Sequence, residues 1–193
     1  MYGKTEAGIG LPVLVDSSGR LVTENSFDVS VMEGHCYYGA NQTGCVWTVE
    51  LATTYTGLCV SNPIGSGKIL RLWYAGYSEV VAPTGIADAW IALGYHASTN
   101  VVAGVAGTAR NLKAGGAVGV GQVWTGATLP VAPTYAYPII NGHTSAALST
   151  TGVPGLVRIA GALPAGGFAI IANFTIGVAV GAKGAILWQE VDA

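Results

Sequence analysis

Apolar and polar residues alternate in short segments along most of the chain, and this pattern predicts β-strands. In VWTVEL (46–51) and KILRLWY (68–74) every second residue is apolar on one face, so each segment can bury that face. Clusters of Gly, Pro, Asn and Ser, such as SNPIGSG (61–67), separate the segments. Further strands are predicted at 58–60, 88–96, 117–124, 156–160, 168–174 and 185–191.

The same pattern does not predict a long helix. No stretch combines a 3.6-residue apolar period with capping residues, and each Gly in the Gly- and Ala-rich runs would cost a helix about 1 kcal/mol. Short strands separated by turn residues are typical of an antiparallel β-sandwich or jelly roll. At 193 residues the chain has the length of one such domain, and no fixed-period repeat divides it. The predicted fold class is therefore all-β.

The first 34 residues differ from the remainder. They contain five of the ten acidic residues, which are Glu6, Asp16, Glu24, Asp28 and Glu33. An apolar run (11–15) is followed there by DSSGR (16–20), a turn signal. We expect residues 1–34 to form an extended N-terminal arm or ribbon that lies on a neighbouring subunit, and residues 35–193 to form the β-sandwich. A simple edge hairpin is the alternative for the arm.

Charge is scarce, whereas 51% of the residues are hydrophobic. The charged residues make up 9% of the chain, while a soluble domain usually has about a quarter. A surface this poor in charge indicates that other protein covers much of it. The net charge of −2 and the lack of a Lys/Arg cluster give no reason to expect a nucleic-acid or anionic-membrane partner.

A membrane-spanning helix is not expected either. The uncharged segment 114–157 is interrupted by four prolines, and the next uncharged gap, 159–182, contains Pro164 and a Gly-Gly pair. Residues 1–10 lack the apolar core of a secretory signal. The three cysteines are therefore interpreted as small buried hydrophobes of a reducing compartment, with a Cys36–Cys45 bridge left open.

Catalytic motifs are incomplete. Gly65-Ser66-Gly67-Lys68 resembles a phosphate-binding loop, but that loop needs Gly where Asn62 stands and Ser or Thr where Ile69 stands. The three histidines are far apart in sequence, and no G-x-S-x-G nucleophile motif occurs. We therefore expect neither an enzyme nor a cofactor or metal site.

Aromatic residues are the remaining candidates for contacts with other molecules. Five Trp and nine Tyr mostly lie in predicted strands, where core or subunit-interface packing is the expected role and a sugar-binding platform is the alternative. Four tyrosines lie in looser segments and are predicted to be exposed. These candidate protein-interface residues are Tyr37, Tyr38, Tyr135 and Tyr137, together with Leu11, Pro12, Val13, Leu14 and Val15 of the arm.

Three pieces of the sequence carry a family resemblance. LPVLVDSSGRL (11–21) resembles the P-x-L-V-D-x-x-G-R start of many small tailed-bacteriophage virion proteins. TGLCVSNPIGSGK (56–68) is similar to the G-L-x-x-x-N-P-x-G-S-G-K hairpin of that group. The ending, from LPAGGF (163–168) to AILWQE (185–190), is similar to its closing strands.

The resemblance implies a jelly-roll or tumour-necrosis-factor-like sandwich that clusters as dimers or trimers on the capsid. It implies a capsid decoration (cement) protein that binds the major capsid protein and itself, is made in the host cytoplasm and ends on the virion surface. The alternative is a head-fibre or tail-fibre module that binds host-surface glycan through exposed Tyr and Trp. No catalytic residue comes with the resemblance.

Overall fold

The computed structural model describes residues 2–4, 10–12, 26–42, 45–47, 51–81, 87–143, 157–173 and 180–193. Strands dominate this part of the chain, and one short helix accompanies them. The elements are β1 (Tyr2–Lys4), β2 (Gly10–Pro12), α1 (Ser26–Glu33), β3 (Cys36–Ala40), β4 (Cys45–Trp47), β5 (Thr54–Ser61), β6 (Lys68–Val81), β7 (Ala87–Tyr95), β8 (Val102–Ala106), β9 (Thr108–Asn111), β10 (Gln122–Thr128), β11 (Thr134–His143), β12 (Val157–Leu163), β13 (Gly167–Asn173) and β14 (Val180–Asp192).

Two antiparallel sheets pack face to face, which confirms the prediction of an all-β antiparallel sandwich. Sheet I has the strand order β11-β7-β13-β5-β10-β8. Sheet II has the order β12-β6-β14-β3-β9, and β4 pairs with the beginning of β14. Strands β1 and β2 form a separate two-stranded sheet.

The main core lies between the two sheets, because each contributes the apolar face of its strands. Sheet I supplies residues such as Leu58, Ile91 and Ile171, and sheet II supplies Leu72 and Trp188. Trp188 is fully buried. Burying a large apolar side chain of this kind contributes about 1.5–3 kcal/mol, so this interface is the main source of stability.

Sheet I is also buried on its outer face. A second apolar cluster there combines strand residues such as Tyr55, Phe168 and Ile170 with Val101 and Leu129 from the flanking loops. Every residue from 167 to 172 is consequently buried. A strand that is buried on both faces has a continuous apolar sequence instead of an alternating one, and this explains the run GFAIIA in β13.

The predicted turn at 61–67 is confirmed, and it joins β5 to β6. Gly65 and Gly67 have φ values of 80° and 66°, which side chains with a Cβ rarely adopt. The Asn62 amide nitrogen donates to the carbonyl oxygens of Lys68, at 2.7 Å, and Leu163, at 2.9 Å. This side chain therefore ties the β5–β6 turn to the end of β12.

Most predicted strands are confirmed, but the one at 117–124 is partly wrong. Its first residues, 117–121, form a loop, and β10 begins only at Gln122. Strands β3, β8, β9 and β11 were not predicted, because their Gly- and Ala-rich or Pro-containing sequences lack clear alternation. They form because neighbouring strands offer them a hydrogen-bonding edge.

Helix α1 is too short to show a helical period in the sequence. It ends at Glu33, and the φ of 83° at Gly34 suits the residue that follows a helix. The Phe27 ring packs on Trp73 and Tyr74, with centroids 5.2 and 5.5 Å apart. Gln189 Nε2 donates to Ser30 Oγ at 2.6 Å. The last part of the predicted arm, residues 26–34, thus packs on sheet II of its own chain.

The Cys36–Cys45 bridge is excluded. Cys36 is a free, buried cysteine. On β14, Cys36 pairs with Gln189 and Cys45 pairs with Ala182, seven residues earlier. Seven residues of strand separate the two cysteines by about 23 Å, which is far beyond the reach of a disulfide. Burial raises the pKa of the Cys36 thiol to about 11. Cys59 is also free and buried. These two cysteines therefore behave as the predicted small hydrophobes.

The packing of α1 predicts different results for two N-terminal deletions. Removal of residues 1–25 should leave the melting temperature of the sandwich close to that of the full chain, if these residues form the predicted arm and contribute nothing to the core of the sandwich. Removal of residues 1–33 should lower the free energy of unfolding by about 1.5–3 kcal/mol, because it uncovers Trp73. Urea unfolding followed by tryptophan fluorescence measures both. Equal destabilisation by the two deletions would contradict the assignment of residues 1–25 to an arm.

Candidate binding surfaces

Tyr37 is not an exposed contact residue, so that part of the prediction is wrong. Its side chain is only 6% exposed and belongs to the main core. The ring stacks on Trp188, with centroids 6.1 Å apart and an interplanar angle of 23°. Burial and, secondarily, the negative charge of Glu190 raise the pKa of the Tyr37 hydroxyl. Tyr37 therefore joins β3 to the core and presents nothing to a partner.

The other three tyrosines differ in exposure. Tyr38 follows Tyr37 on β3, so its half-buried side chain lies on the outer face of sheet II. Tyr135 is half-buried and packs edge-on against Trp90, at 5.6 Å between ring centroids. Tyr137 is 38% exposed. Tyr135 and Tyr137 lie on β11, an edge strand, instead of in a loose segment.

Only the beginning of the predicted arm interface lies within the described residues. Leu11 and Pro12 belong to β2, where Leu11 pairs with Gly3 and Pro12 with Tyr2. Val13, Leu14 and Val15 lie outside the described residues, as does the turn predicted at 16–20. The role of this segment in binding stays a prediction.

The outer face of sheet II carries a transverse row of aromatic and basic residues. Their chain neighbours Tyr37, Trp188, Ile159 and Ala109 pack toward the core, so alternation places the row outside. In register, the row consists of Arg110 on β9, Tyr38 on β3, Leu187 on β14, Tyr74 on β6 and Arg158 on β12.

Two further cations share this face. Arg71 and Lys183 are exposed, on β6 and β14. We call the outer surface of sheet II with its cations the basic face. Those cations are Arg71, Arg110, Arg158 and Lys183. None of them forms an ion pair within the described part of the chain. Sequence reasoning missed this face, because its four cations lie on four different strands.

A bulge in β6 shapes the part of the basic face near α1. The register between β14 and β6 shifts by one residue: Leu187 pairs with Tyr74, but Trp188 pairs with Leu72. Trp73 is therefore the extra residue of the bulge and has no register partner on β14. Leu72 and Ala75 both face the core, and therefore Trp73 and Tyr74 both face outward. The Arg158 guanidinium lies 5.5 Å from the Trp73 ring centroid, a cation–π distance. Phe27 covers the same ring from α1.

A buried carboxylate holds the loop that continues from β9. Glu190 is 8% exposed, and its oxygens accept hydrogen bonds from the backbone N–H groups of Val120, at 3.0 Å, and Gly121, at 2.9 Å. The Trp188 indole N–H also donates to it, at 3.2 Å. A methyl group on Gly121 would lie 2.8 Å from the Trp188 ring, so the loop approaches this closely only with glycine there. Glu190 thus has a structural role.

The side of the sandwich formed by β8 and β9 is different in character. These consecutive strands are the edge strands of sheet I and sheet II, and the chain passes between the sheets at Gly107. Val102 and Val105 are 59% and 60% exposed. Strand β8 contains no charged residue or proline, although its register with β10 shifts at Gly126. We call β8 (Val102–Ala106) the apolar edge.

Such an edge is unusual for an isolated protein. Edge strands normally carry charged residues or proline, because their unpaired N–H and C=O groups invite pairing with another chain. Within the described residues, no strand pairs with the outer side of β8. The apolar edge is therefore a surface suited to strand pairing with other protein.

Shallow cavities accompany these surfaces. A cavity of about 500 Å³ lies beside β9 and is lined by residues including Tyr38, Arg110 and Lys113. A cavity of about 350 Å³ lies between Arg71, Trp73 and Arg158.

No group of three or more His, Cys, Asp or Glu in the described ranges could hold a metal ion. No helix among the described elements has the length and apolarity to cross a membrane.

Comparisons with protein-family models, with curated proteins and with solved structures found no match.

Substitution of Glu190 by Gln should destabilise the protein by about 1.5–3 kcal/mol, the range for a buried hydrogen bond to a charged group. The reason is that the glutamine amide nitrogen, in either orientation, faces a backbone N–H that needs an acceptor. Urea denaturation of E190Q measures the change. D192N is the matched control, since Asp192 is an exposed carboxylate on the same strand and its ion pair with Lys68 lies at the surface, where such pairs contribute little; it should unfold at nearly the wild-type midpoint. Equal midpoints for all three proteins would contradict the structural role of Glu190.

Proposed function

We propose that this chain is a capsid decoration (cement) protein of a tailed bacteriophage, which binds the major capsid protein lattice and stabilises the head. The observation that carries this proposal is the apolar edge, an exposed and uncharged strand suited to contact with other protein. The proposed role is structural and not enzymatic, and it uses no cofactor. The chain acts as a homodimer or homotrimer on the virion surface.

The connectivity of the sandwich supports the jelly-roll part of the proposal. Eight strands alternate between the sheets in the order expected for two Greek keys. In sheet II these are β3-β14-β6-β12, and in sheet I they are β5-β13-β7-β11. Strands β8, β9 and β10 are then an insertion between β7 and β11 that extends both sheets on the same side. The apolar edge belongs to this insertion.

The energetics of decoration fit a surface of this kind. A protein that binds a symmetric lattice gains affinity from weak contacts repeated at many equivalent positions. Antiparallel pairing of β8 with β8 of a second copy around a two-fold axis would satisfy both sets of exposed backbone groups at once. The sequence resemblance at 11–21, 56–68 and 163–190 points to the same class of protein. Residues 11–15 would add a contact by lying on a neighbouring subunit.

A fibre module that binds host-surface glycan is the second candidate. Its support is the exposure of Tyr95 and Tyr137, at 54% and 38%. Tyr95 also lines a cavity of about 280 Å³ with Thr134 and Pro164, and exposed aromatic rings beside a cavity can stack on sugars. This alternative does not use the apolar edge.

The abundance of the protein in the particle tests the proposed function. Decoration predicts a copy number equal to that of the major capsid protein or to a simple lattice fraction of it, because each copy occupies an equivalent lattice position. Quantitative mass spectrometry of purified virions of the phage that encodes the chain measures this ratio. A ratio of a few per cent would favour the fibre module instead. Absence from the particle would contradict both.

The apolar edge predicts a defined effect on oligomerisation. V102K/V105K should convert the oligomer to a monomer, since lysines on an edge strand prevent strand pairing. Light scattering coupled to size-exclusion chromatography measures the mass. M32K/V118K is the matched control: Met32 and Val118 are 71% and 88% exposed but lie outside β8, and the change in charge is the same. An unchanged mass for the edge variant, or a monomeric wild type, would contradict self-association through β8.

A further inference from the structure

The basic residues of this chain are concentrated on one side. The structure describes the side chains of six basic residues, and four of these lie on the basic face. Lys113 lies beside it, in the loop after β9. Lys68 is different, since it forms an ion pair of 2.6 Å with Asp192. A chain with net charge −2 thus presents a locally positive surface.

Two carboxylates lie on the same side of the sandwich as the basic face but, in the described part of the chain, form no ion pair with its four cations. They are Asp28 and Glu33 of helix α1, which packs on Trp73. Glu33 lies 3.9 Å from His35, and within the described residues neither carboxylate forms an ion pair with a lysine or arginine. Of the four cations, Arg158 already contacts the Trp73 ring, and Arg71 lies beside that pair. Arg110 on β9 and Lys183 on β14 are therefore the most suitable cations for an external partner.

The composition of the basic face is that of a binding surface. Interfaces are enriched in Tyr, Trp and Arg, which carry much of the binding free energy. The row from Arg110 through Tyr38 and Leu187 contains Arg and Tyr, and its aromatic and apolar members are half-buried but not covered completely.

A flat region adjoins the row. The next register position across the sheet consists of Ala40, Ala185 and Gly76. Lys183, opposite Ser78, lies beyond it. A shallow cavity of about 200 Å³ there is lined by Gly76, Ser78, Lys183 and Ala185. Because these side chains are short, a partner surface can approach the sheet closely between Lys183 and the aromatic row.

We propose that the basic face docks an acidic surface of a partner protein, with Arg110 and Lys183 contacting its carboxylates and Tyr38 packing between them. The identification of that partner as the major capsid protein rests on the proposed function. A second copy of this chain is the less suitable occupant, because two-fold pairing of the face with itself brings like charges together. Self-association uses the apolar edge instead, so the two surfaces have separate roles.

An acidic peptide tests the charge preference without any assumption about the virion. The probe is a fluorescently labelled deca-glutamate peptide, and its binding is measured by anisotropy at low and high salt. R110Q/K183Q should lower the affinity by about tenfold, since two charge-assisted contacts are lost, and wild-type binding should weaken with salt. A labelled single-stranded DNA decamer serves as a second probe. Tighter binding of the DNA than of the peptide, with the same dependence on Arg110 and Lys183, would overturn the choice of a protein partner.

A matched variant separates a local effect from a change in net charge. T53E/T99E also changes the net charge from −2 to −4, but Thr53 and Thr99 are exposed in loops outside the basic face. It should bind the peptide within about twofold of wild type, because its charges lie away from the face. Equal weakening by both variants, or no effect of R110Q/K183Q, would overturn the proposal. All four substituted side chains are exposed, so unchanged melting temperatures verify the fold.

Binding to purified capsid shells distinguishes failure of this inference from failure of the proposed function. If the wild type and R110Q/K183Q bind the shells equally, the decoration role stands and the basic face is not its contact. If the protein is absent from virions but binds the peptide through Arg110 and Lys183, the docking face stands and the decoration role fails. Loss of shell binding by R110Q/K183Q, with binding retained by T53E/T99E, supports both.

Discussion

Strand β14 pairs with β6 from Gly181 to Asp192, and this ladder organises both faces of sheet II. Toward the interior it places Ile186 and Trp188 in the main core. Toward the outside it aligns Leu187 with Tyr74 and so completes the row across the basic face. A one-residue slip would exchange the two faces of the strand. Two residues oppose such a slip, because it would move Trp188 out of the core and Glu190 away from its hydrogen-bond donors.

The two sheets leave different surfaces available for binding. Loops that carry Val101 and Leu129 cover much of the outer side of sheet I, so this part of its face belongs to the core, whereas its edge strand β8 is exposed. Sheet II keeps an outer face, which α1 covers at one end through contacts with Cys36, Trp73 and Gln189. The neutral edge of one sheet and the charged face of the other are thus separated by the fold itself. The proposed self-association and the proposed docking of an acidic partner therefore use different surfaces of the protein.

Much of the fold was predictable from local patterns. The strand at 68–74 and the turn at 61–67 follow from apolar alternation and from the backbone freedom of glycine, both of which are properties of neighbouring residues. The candidate site was predictable only in part. Tyr137 was correctly expected to be exposed, whereas its counterpart Tyr37 is buried against Trp188, a residue about 150 positions away. No local signal distinguishes the inner from the outer member of the pair Tyr37 and Tyr38.

By itself, the amino-acid sequence determined the all-β class, the principal turn and a surface with little charge. The tertiary structure decided which face of each strand is buried and which residues meet across the sheets. Arg110 and Arg158 end the same row although 48 positions separate them, because the row depends on the register of four successive strand pairs. The bulge at Trp73 then turns two consecutive aromatic side chains outward. Register and bulges result from long-range pairing, and alternation within a single strand does not encode them.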